Sequence, residues 1–383
     1  MGFGEEGTAG QKWRQYSRTE SGVRLGPRPR MLTPIMAPRP PSAAPAALHS
    51  AAEELAHLAE QSAAEGPWAS GAMRVLARAG ILARFVPVDC DGTADDEAGL
   101  VETLAVTATA CLTTALALSQ WAAAVRIIAA GPAPVRATLL PGLARGAAFT
   151  TVGISQLTTS RRHLGRPALA ADRDSGGWRI DGICPWVTGA DACDTIVTGA
   201  QTTGGGQVFF VVPTAAAGVE IEPPLEMLAL SGSRTAVVRL TGVRPAHVIE
   251  PPEHNAPRTG GLATTALALG SARAAIAVVA SEATRREPLA PVAERLAAEL
   301  GRLFERLTQA AHDGLAADDR DQLRTAATEL VLRAGQAALT ASKGAGFVRG
   351  HPAERLVRES LFFVVWSCPP TVADALLCEF SGG

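Results

Sequence analysis

Three arginines and one histidine lie close together in the segment Ser160-Arg161-Arg162-His163-Leu164-Gly165-Arg166. Guanidinium groups bind phosphate oxygens through charge-assisted hydrogen bonds, so this segment predicts a basic loop that holds phosphate groups. A solvated surface turn is the alternative interpretation of the same residues. The loop is therefore a candidate binding element, and it needs a fold that brings it next to a pocket.

Cysteines are the other residues that could bind a metal or form cross-links. The sequence contains Cys90, Cys111, Cys184, Cys193, Cys368 and Cys378. None belongs to a Cys-x-x-Cys pair, and none stands at metal-ligand spacing from a histidine. We expect buried free thiols in a protein of the reducing cytosol, and no metal site.

The composition predicts a large globular core. Hydrophobic residues make up 47% of the 383 residues and charged residues 19%, and alanine dominates the apolar count. Alanine favours helices that pack closely. The net charge of −2 argues against a general nucleic-acid-binding protein, which would carry a basic excess.

Two segments bear on targeting and membranes. Residues 1–44 are rich in Arg, Gly and Pro and contain no apolar core of a secretory signal, so we predict a disordered leader or a start at Met31 or Met36. Residues 103–125 carry no charge and are long enough to span a bilayer. Because this stretch is rich in Thr and Ala rather than Leu and Ile, we predict a buried bundle helix and no membrane span.

The N-terminal third has helical patterning. Charges at helical spacing predict helices over 45–83 with a break at Gly66-Pro67, and one or two helices over 95–130 that end before Gly131-Pro132. A further short helix is predicted over 136–145, ended by Gly146.

The character of the sequence changes at Ala147 and again near residue 261. Between these points, β-branched and aromatic runs predict strands at 195–197, 208–212 and 235–240, with a hairpin turn at Gly176-Gly177. Beyond them, Ala-, Leu-, Arg- and Glu-rich stretches predict helices over 263–286, 289–315, 318–345 and 353–379, the last interrupted at Pro369-Pro370.

These patterns predict an α+β fold with an N-terminal α-helical domain, a central antiparallel β-barrel-like domain and a C-terminal four-helix bundle. The expected boundaries are a disordered leader at 1–44, helices at 45–146, the β-domain at 147–252 and the bundle at 258–383.

Four motifs in this order give the chain a family resemblance. They are Leu139–Gly146 (LLPGLARG), Gly153–Gln156 (GISQ), Gly177–Asp194 with its Pro185–Ala190 centre (PWVTGA), and Gly350–Glu359 (GHPAERLVRE). Together with the order helices, β-domain, helices, they resemble the acyl-CoA dehydrogenase family over residues 45–380.

The resemblance implies a flavin site. Ile154 and Ser155 would lie on a strand that touches the flavin, with the Ser155 hydroxyl at its pyrimidine edge and Gln156 in place of a family Glu. Trp186 would pack beside the isoalloxazine ring, next to Val187. The Thr188 hydroxyl, or a nearby backbone N–H, would face N5 and tune hydride acceptance.

Further elements of the family pattern are changed. The Arg-x-Gln-Phe-Gly element that reaches a neighbouring subunit's FAD is represented by Arg285 without a following Phe-Gly. The basic loop that contains His163 takes the place of the family's substrate loop, where it could hold the phosphates of CoA or flavin.

The family's catalytic carboxylate is not where the resemblance would put it. Dehydrogenation of an acyl thioester needs a base for the weakly acidic α-proton. Ser367 occupies the position of the usual Glu, and a hydroxyl without a partner base cannot take that proton. The alternative family position falls in 262–268, which contains no carboxylate, and Glu253 is the nearest substitute.

Three functions follow from the resemblance. The first is a flavin-dependent oxidoreductase that acts on an acyl thioester, linked to CoA or to a carrier protein, with FAD and an electron-transfer partner. The second is a monooxygenase of the same fold that uses an exchangeable reduced flavin, with His163, Ser155 and Ser367 as candidate helper residues. The third is a catalytically degenerate scaffold or partner subunit. The resemblance also implies a cytoplasmic homodimer or homotetramer.

Overall fold

The computed structural model describes residues 46–61, 70–158, 167–202, 204, 206–250 and 261–382. The chain begins there with five helices: α1 (Ala46–Gln61), α2 (Ser70–Arg78), α3 (Glu97–Ala110), α4 (Leu112–Ala129) and α5 (Ala133–Ala144). The uncharged stretch forms α3 and α4 rather than one helix, because the backbone at Cys111 is extended. Asp96 begins α3 by accepting a hydrogen bond from the Gly99 amide at 2.8 Å.

An eight-stranded sheet follows. Its strands are β1 (Thr150–Gly153), β2 (Leu169–Asp174), β3 (Gly177–Val187), β4 (Thr195–Thr202), β5 (Gln207–Pro213), β6 (Val219–Ile221), β7 (Ala236–Val243) and β8 (His247–Ile249). The strand order is β6-β7-β3-β2-β4-β5-β8, with β1 beside β4. The pairings are antiparallel except that β4 runs parallel to both β1 and β2. The predicted antiparallel β-domain is therefore confirmed in its main character, and the two parallel pairings are an addition to it.

One helix departs from the strand prediction inside this region. The residues Ser155–Thr158 form a single helical turn, α6, directly after β1 ends at Gly153. The sequence analysis expected Ile154 and Ser155 on a strand. That expectation was wrong for this segment, because the Leu157 N–H donates to the Ile154 carbonyl oxygen at 2.9 Å and begins a helical turn in place of the strand.

Helices return at residue 262 as α7 (Leu262–Ala283), α8 (Ala290–Asp313), α9 (Ala317–Ser342), α10 (Pro352–Ser360) and α11 (Pro370–Ser381). The helix α7 packs against α3, α8 and α9. A side chain at Gly270 would place its Cβ 2.3 Å from the carbonyl oxygen of Ala105, so α3 and α7 can approach this closely only with glycine there. The order of helices, sheet and helices agrees with the predicted fold class.

Two helices, α4 and α7, are long and apolar enough to cross a membrane by length and composition. Most of each apolar window is buried inside the protein. Both are therefore core helices of this fold, as the sequence analysis predicted for the 103–125 stretch.

Candidate functional site

A cavity of about 830 Å³ lies where α3, α4, the sheet and the C-terminal helices meet. Its lining is mainly apolar, and it includes Leu100, Leu104, Leu116, Ile127, Met227 and Leu267. Four cavity-lining residues were singled out from the sequence: Ile154, Ser155, Trp186 and Ser367. Three distant parts of the chain thus contribute to one pocket of the size that small-molecule sites have.

Gln156 anchors the turn that presents Ile154 and Ser155. Its side chain is 8% exposed. The amide nitrogen donates to the carbonyl oxygens of Gly153 at 3.0 Å and Gly199 at 3.1 Å, and to the Thr198 hydroxyl at 3.1 Å. Thr198 in turn donates to the Gly153 oxygen at 2.6 Å. These bonds tie the turn to β1 and β4, and they fix where the cavity wall begins.

Successive residues at the end of β3 point to opposite sides of the sheet. Trp186 lines the cavity and is 40% exposed, which leaves its indole available to a ligand. Val187 is fully buried and belongs to the apolar core on the other face of the sheet. Val187 therefore supports the strand from behind, whereas Trp186 offers its side chain to the pocket.

Thr188 does not line the cavity itself but contacts a threonine that does. Its side chain is buried, and its Oγ1 lies 3.2 Å from Oγ1 of Thr235, which lines the cavity. Thr235 also lies 2.9 Å from the Ser233 hydroxyl, and Thr151 donates to the Thr188 carbonyl oxygen at 2.8 Å. Of the two threonines, Thr235 is therefore the cavity-lining residue, and Thr188 contacts it without lining the cavity itself.

The C-terminal wall is a short irregular segment between α10 and α11. A 3₁₀ turn at Leu361–Val364 is followed by Val365, Trp366 and Ser367, and residues of this segment line the cavity. Trp366 stacks on Phe362 with ring centroids 5.2 Å apart and planes inclined by 24°. Ser367 has a positive φ of 46° and stands in the pocket at the position where the resemblance would place a Glu.

Carboxylates are scarce in the described part of this lining. Of α7, Leu262, Ala263, Thr264 and Leu267 line the cavity, and none is acidic. Among the described lining residues the acidic ones are Glu97, whose carboxylate pairs with Arg126 at 3.1 Å, and Glu226. Glu253 and the basic loop with His163 lie outside the described residues.

Glu359, at the end of the fourth motif, is a buried carboxylate outside that lining. It is 5% exposed, and its nearest ion-pair contact is with Arg355 at 3.6 Å. Burial is the main cause that raises the pKa of the Glu359 carboxyl, and the neighbouring guanidinium of Arg355 opposes it. Its contacts are those of a structural residue under the pocket.

Arg285 lies away from the cavity residues. It stands just after α7, its side chain is 72% exposed, and it contacts Glu282 at 3.7 Å. The adjacent Arg286 has a structural role, because it pairs with Glu282 at 2.9 Å and donates to the carbonyl oxygen of Ala341. Arg285 therefore faces the surface of this chain and is brought together with none of the other predicted site residues that the structure describes.

Two charged features of the pocket were missed from the sequence. Arg126 and Glu97 form their ion pair at the cavity from α4 and α3. Arg358, which also lines the cavity, pairs with Glu354 and donates to the carbonyl oxygen of Leu228 at 2.9 Å, so α10 holds the loop between β6 and β7. Arg358 belongs to the fourth motif, but sequence spacing alone gave no sign of the contact with Leu228.

The donor set suits an organic ligand better than a metal. Within the described ranges, no group of three His, Cys, Asp or Glu side chains is arranged to hold a metal ion. Burial raises the pKa of the Cys184 thiol to about 11 and that of Cys193 to about 12, so both stay protonated near neutral pH. In contrast, the half-exposed indole of Trp186 lines the same cavity as the hydroxyl residues Ser155 and Thr235, and such a lining suits a flat aromatic ring with a polar edge.

No protein-family model matches the sequence, and no curated protein sequence matches it. Solved structures do match. A glutaryl-coenzyme A dehydrogenase in complex with glutaryl-CoA has a TM-score of 0.75 at 16% identity, over 89% of this chain and 97% of the other. TdsC from Paenibacillus sp. A11-2 with FMN and indole, whose other structure is called a dibenzothiophene monooxygenase, has a TM-score of 0.71 at 17% identity, over 88% and 96%.

A third solved structure is KijD3 in complex with FMN and a dTDP-linked amino sugar. Its TM-score is 0.68 at 19% identity, with 88% of this chain and 92% of the other covered. At these identities the likeness establishes a shared fold, and it does so over nearly the whole length of each chain. The activities of these proteins differ from one another, so the fold leaves the chemistry open.

Proposed function

We propose that this chain, which has the acyl-CoA dehydrogenase-like fold, is a flavin-dependent oxidoreductase that uses reduced flavin and O₂ to oxygenate an apolar organic substrate. The observation that carries the proposal is the makeup of the two wall segments where related enzymes hold their base. The described cavity residues of 262–267 and 361–367 supply hydroxyl and apolar groups but no carboxylate. A reaction that starts with removal of an α-proton lacks its base there.

The chemistry of the pocket residues suggests which of them would contact the flavin and which would contact the substrate. Trp186 and Ile154 offer flat and apolar surface to a flavin ring, and the hydroxyls of Ser155 and Thr235 offer hydrogen bonds to its polar edge. A bound reduced flavin supplies the electrons that activate O₂. The apolar residues Leu100, Leu104 and Leu267 would hold the substrate and exclude water, and Ser367 would hydrogen-bond a polar group on it.

The flavin is proposed to be exchangeable FMN or FAD rather than tightly held FAD. The element that the resemblance implies for a neighbouring subunit's FAD is represented here by Arg285 without a following Phe-Gly. Two of the matched structures, TdsC and KijD3, contain FMN.

A second candidate is dehydrogenation of an acyl thioester, linked to CoA or to a carrier protein, with FAD and an electron-transfer partner. One observation favours it: Glu226 lines the cavity and is a carboxylate that could act as base. The matched glutaryl-CoA dehydrogenase is an example of this chemistry on the same fold. We also propose that the chain works in the cytoplasm as a homodimer or homotetramer.

Flavin binding under defined redox conditions tests the proposal. We expect protein purified without colour to bind added reduced FMN or FAD under anaerobic conditions, and to consume O₂ when a flavin reductase regenerates the reduced flavin. Bleaching of bound FAD by an acyl-CoA, without O₂ consumption, would instead support the second candidate. Failure to bind either flavin in either redox state would leave only the scaffold hypothesis.

A substitution in the C-terminal wall sharpens this test. The Ser367→Glu variant would place a carboxylate at the usual position of the base, and gain of FAD bleaching by acyl-CoA would show that this position faces the substrate. Ser175→Glu, in the exposed hairpin turn between β2 and β3, is the matched control and should gain nothing.

A further inference from the structure

Arg324, in the N-terminal third of α9, carries a buried guanidinium that is in no ion pair with a described carboxylate. Its residue is 4% exposed. No ion pair among the described residues includes it, and its Nε and Nη1 have no hydrogen-bond partner there. Burial lowers the pKa of Arg324 to about 10, and the electrostatic effect of the neighbouring Cys368 opposes this shift. Such a group costs folding free energy unless its remaining contacts offset the lost hydration.

Those remaining contacts all go to one segment. Nη2 of Arg324 donates to the carbonyl oxygen of Phe363 at 3.1 Å and to that of Trp366 at 3.3 Å. The guanidinium carbon also lies over the ring of Phe363, 5.6 Å from its centroid. Phe363 and Trp366 belong to the segment 361–367 between α10 and α11, which forms the C-terminal wall of the cavity.

This segment has little regular structure, although Trp366 stacks on Phe362 and its backbone N–H donates to the Phe362 carbonyl oxygen at 2.9 Å. It contains one 3₁₀ turn at Leu361–Val364, and the next helix begins only at Pro370. Pro369 and Pro370 lack backbone N–H groups, so they cannot donate to the carbonyl oxygens that precede them. Ser367 has left-handed backbone geometry, which a serine adopts only where its surroundings hold it. The bonds from Arg324 reach the segment on both sides of Val364 and Val365.

We propose that Arg324 is a positioning residue for the ligand cavity: it holds segment 361–367 as a wall and thereby sets where Trp366 and Ser367 stand. Arg324 contacts that wall from behind and is not itself among the cavity-lining residues. The placement of the wall is independent of what the pocket binds. The consequence for flavin or substrate affinity rests on the proposed function.

The reactivity of Cys368 reports the state of the wall directly. This thiol follows Ser367 and is partly buried; burial is the main cause that raises its pKa, and the charge of Arg324 opposes this. Loss of that charge would by itself slow alkylation, so a faster reaction in an Arg324 variant reports opening of the wall. If the wall opens, the thiol gains water and reacts faster with a neutral alkylating reagent such as iodoacetamide. A Cys378→Ser background removes the one exposed cysteine of the described chain, and peptide mass mapping separates the remaining sites.

The test compares Arg324→Met with Arg333→Met in that background. Arg333 lies on the same helix, and it pairs with Glu299 at 2.5 Å near the surface, so its loss removes an ion pair without touching the wall. We expect alkylation of Cys368 to rise about 10-fold in Arg324→Met, the factor expected for loss of a hydrogen bond to a charged donor. Arg333→Met should stay within about 2-fold of the parent, as exposed ion pairs contribute little.

Two internal comparisons separate positioning from general destabilisation. A merely structural role would also accelerate alkylation of two buried thiols, Cys184 in β3 and Cys193 just before β4, whereas positioning accelerates Cys368 alone. If Arg324→Met does not fold, as judged by circular dichroism, Arg324→Gln carries the test with the same expectation, because its shorter amide cannot reach both carbonyls. Parent-like alkylation of Cys368 in a folded variant overturns the proposal.

Affinity for reduced FMN is the second measurement on the same proteins. Weaker binding in Arg324→Met, with Arg333→Met unchanged, would show that the wall contributes to the pocket. If the parent protein binds no flavin, the proposed function fails, but the alkylation comparison still decides whether Arg324 holds the wall.

Discussion

Replacement of Gln156 by Glu exchanges a buried amide for a carboxyl group of similar size. It therefore tests whether the hydrogen bonds of Gln156 hold the turn at Ile154 and Ser155 in place. The Gln156 amide nitrogen donates to two carbonyl oxygens and one hydroxyl, at 3.0 to 3.1 Å. A carboxylate has no hydrogen to donate, and it would face the Gly153 and Gly199 oxygens with negative charge. Because the amide NH₂ group has two hydrogens, the three acceptors share two hydrogen bonds. Their loss costs about 2 kcal/mol, and burial of the unpaired charge adds to this.

The penalty should depend on pH. Burial and the facing carbonyls raise the pKa of the new carboxyl above its unfolded value of about 4.3, because the protonated form can still donate one hydrogen bond. Below the unfolded pKa the carboxyl is protonated in both states, and only the hydrogen-bond loss is felt. As pH rises from there towards the folded pKa, the unfolded state loses its proton first, and the variant is destabilised by about 1.4 kcal/mol per pH unit.

Thermal unfolding at several pH values measures this effect. We expect the melting temperature of Gln156→Glu, relative to the parent, to fall progressively between pH 5 and pH 8. Gln207→Glu, at an exposed position of β5, is the matched control and should show no such trend. The hydrogen-bond assignment would be refuted if the melting temperature were lowered equally at pH 5 and pH 8, or by no more than in the control. Flavin affinity should fall with stability, since Gln156 holds the turn of Ile154 and Ser155.

Three further predictions follow from the same structure. Trp186→Ala should weaken flavin binding about 10-fold, measured by fluorescence titration, while the melting temperature stays near the parent value because the indole is half-exposed. Gly270→Ala should lower the melting temperature by several degrees, because its Cβ would meet the backbone of α3, whereas Gly71→Ala, with open space around it, should not. Arg358→Met should release the loop at Leu228 and increase its cleavage by a protease under native conditions, with little change in melting temperature.

The fold could be predicted because its signals are local and repeated. Helical charge spacing before residue 147, β-branched runs up to 250 and Ala-rich helices from 261 each follow from neighbouring residues. The resemblance to the acyl-CoA dehydrogenase family is confirmed at the level of the fold by structures with TM-scores of 0.68 to 0.75. Boundaries moved by a few residues at most elements, as expected where helix and strand ends depend on single caps.

The site could be predicted only in part. Trp186 and Ser367 could be assigned to one pocket because each belongs to a motif whose place in the family fold is known. In contrast, the turn at Ser155 depends on bonds from Gln156 to Gly199, a residue far away in sequence. The roles of Arg324 and Arg358 likewise depend on contacts with backbone carbonyls of other elements. Every residue has such a carbonyl, so the sequence does not indicate which one an arginine will contact.

The buried carboxylate at Glu359 bears on the choice between the two proposed reactions. It is the acidic residue closest in sequence to the C-terminal wall, yet its contacts are with Arg355, and burial raises the pKa of its carboxyl. A base for an α-proton has to contact the substrate, and Glu359 is not among the described residues that line the cavity. Glu226 is the cavity-lining carboxylate left for the second candidate reaction, whereas a carboxylate on the C-terminal wall would take a substitution such as Ser367→Glu. The described wall segments 262–267 and 361–367 thus hold no carboxylate that could act as base, and this supports the proposal that reduced flavin and O₂ begin the reaction.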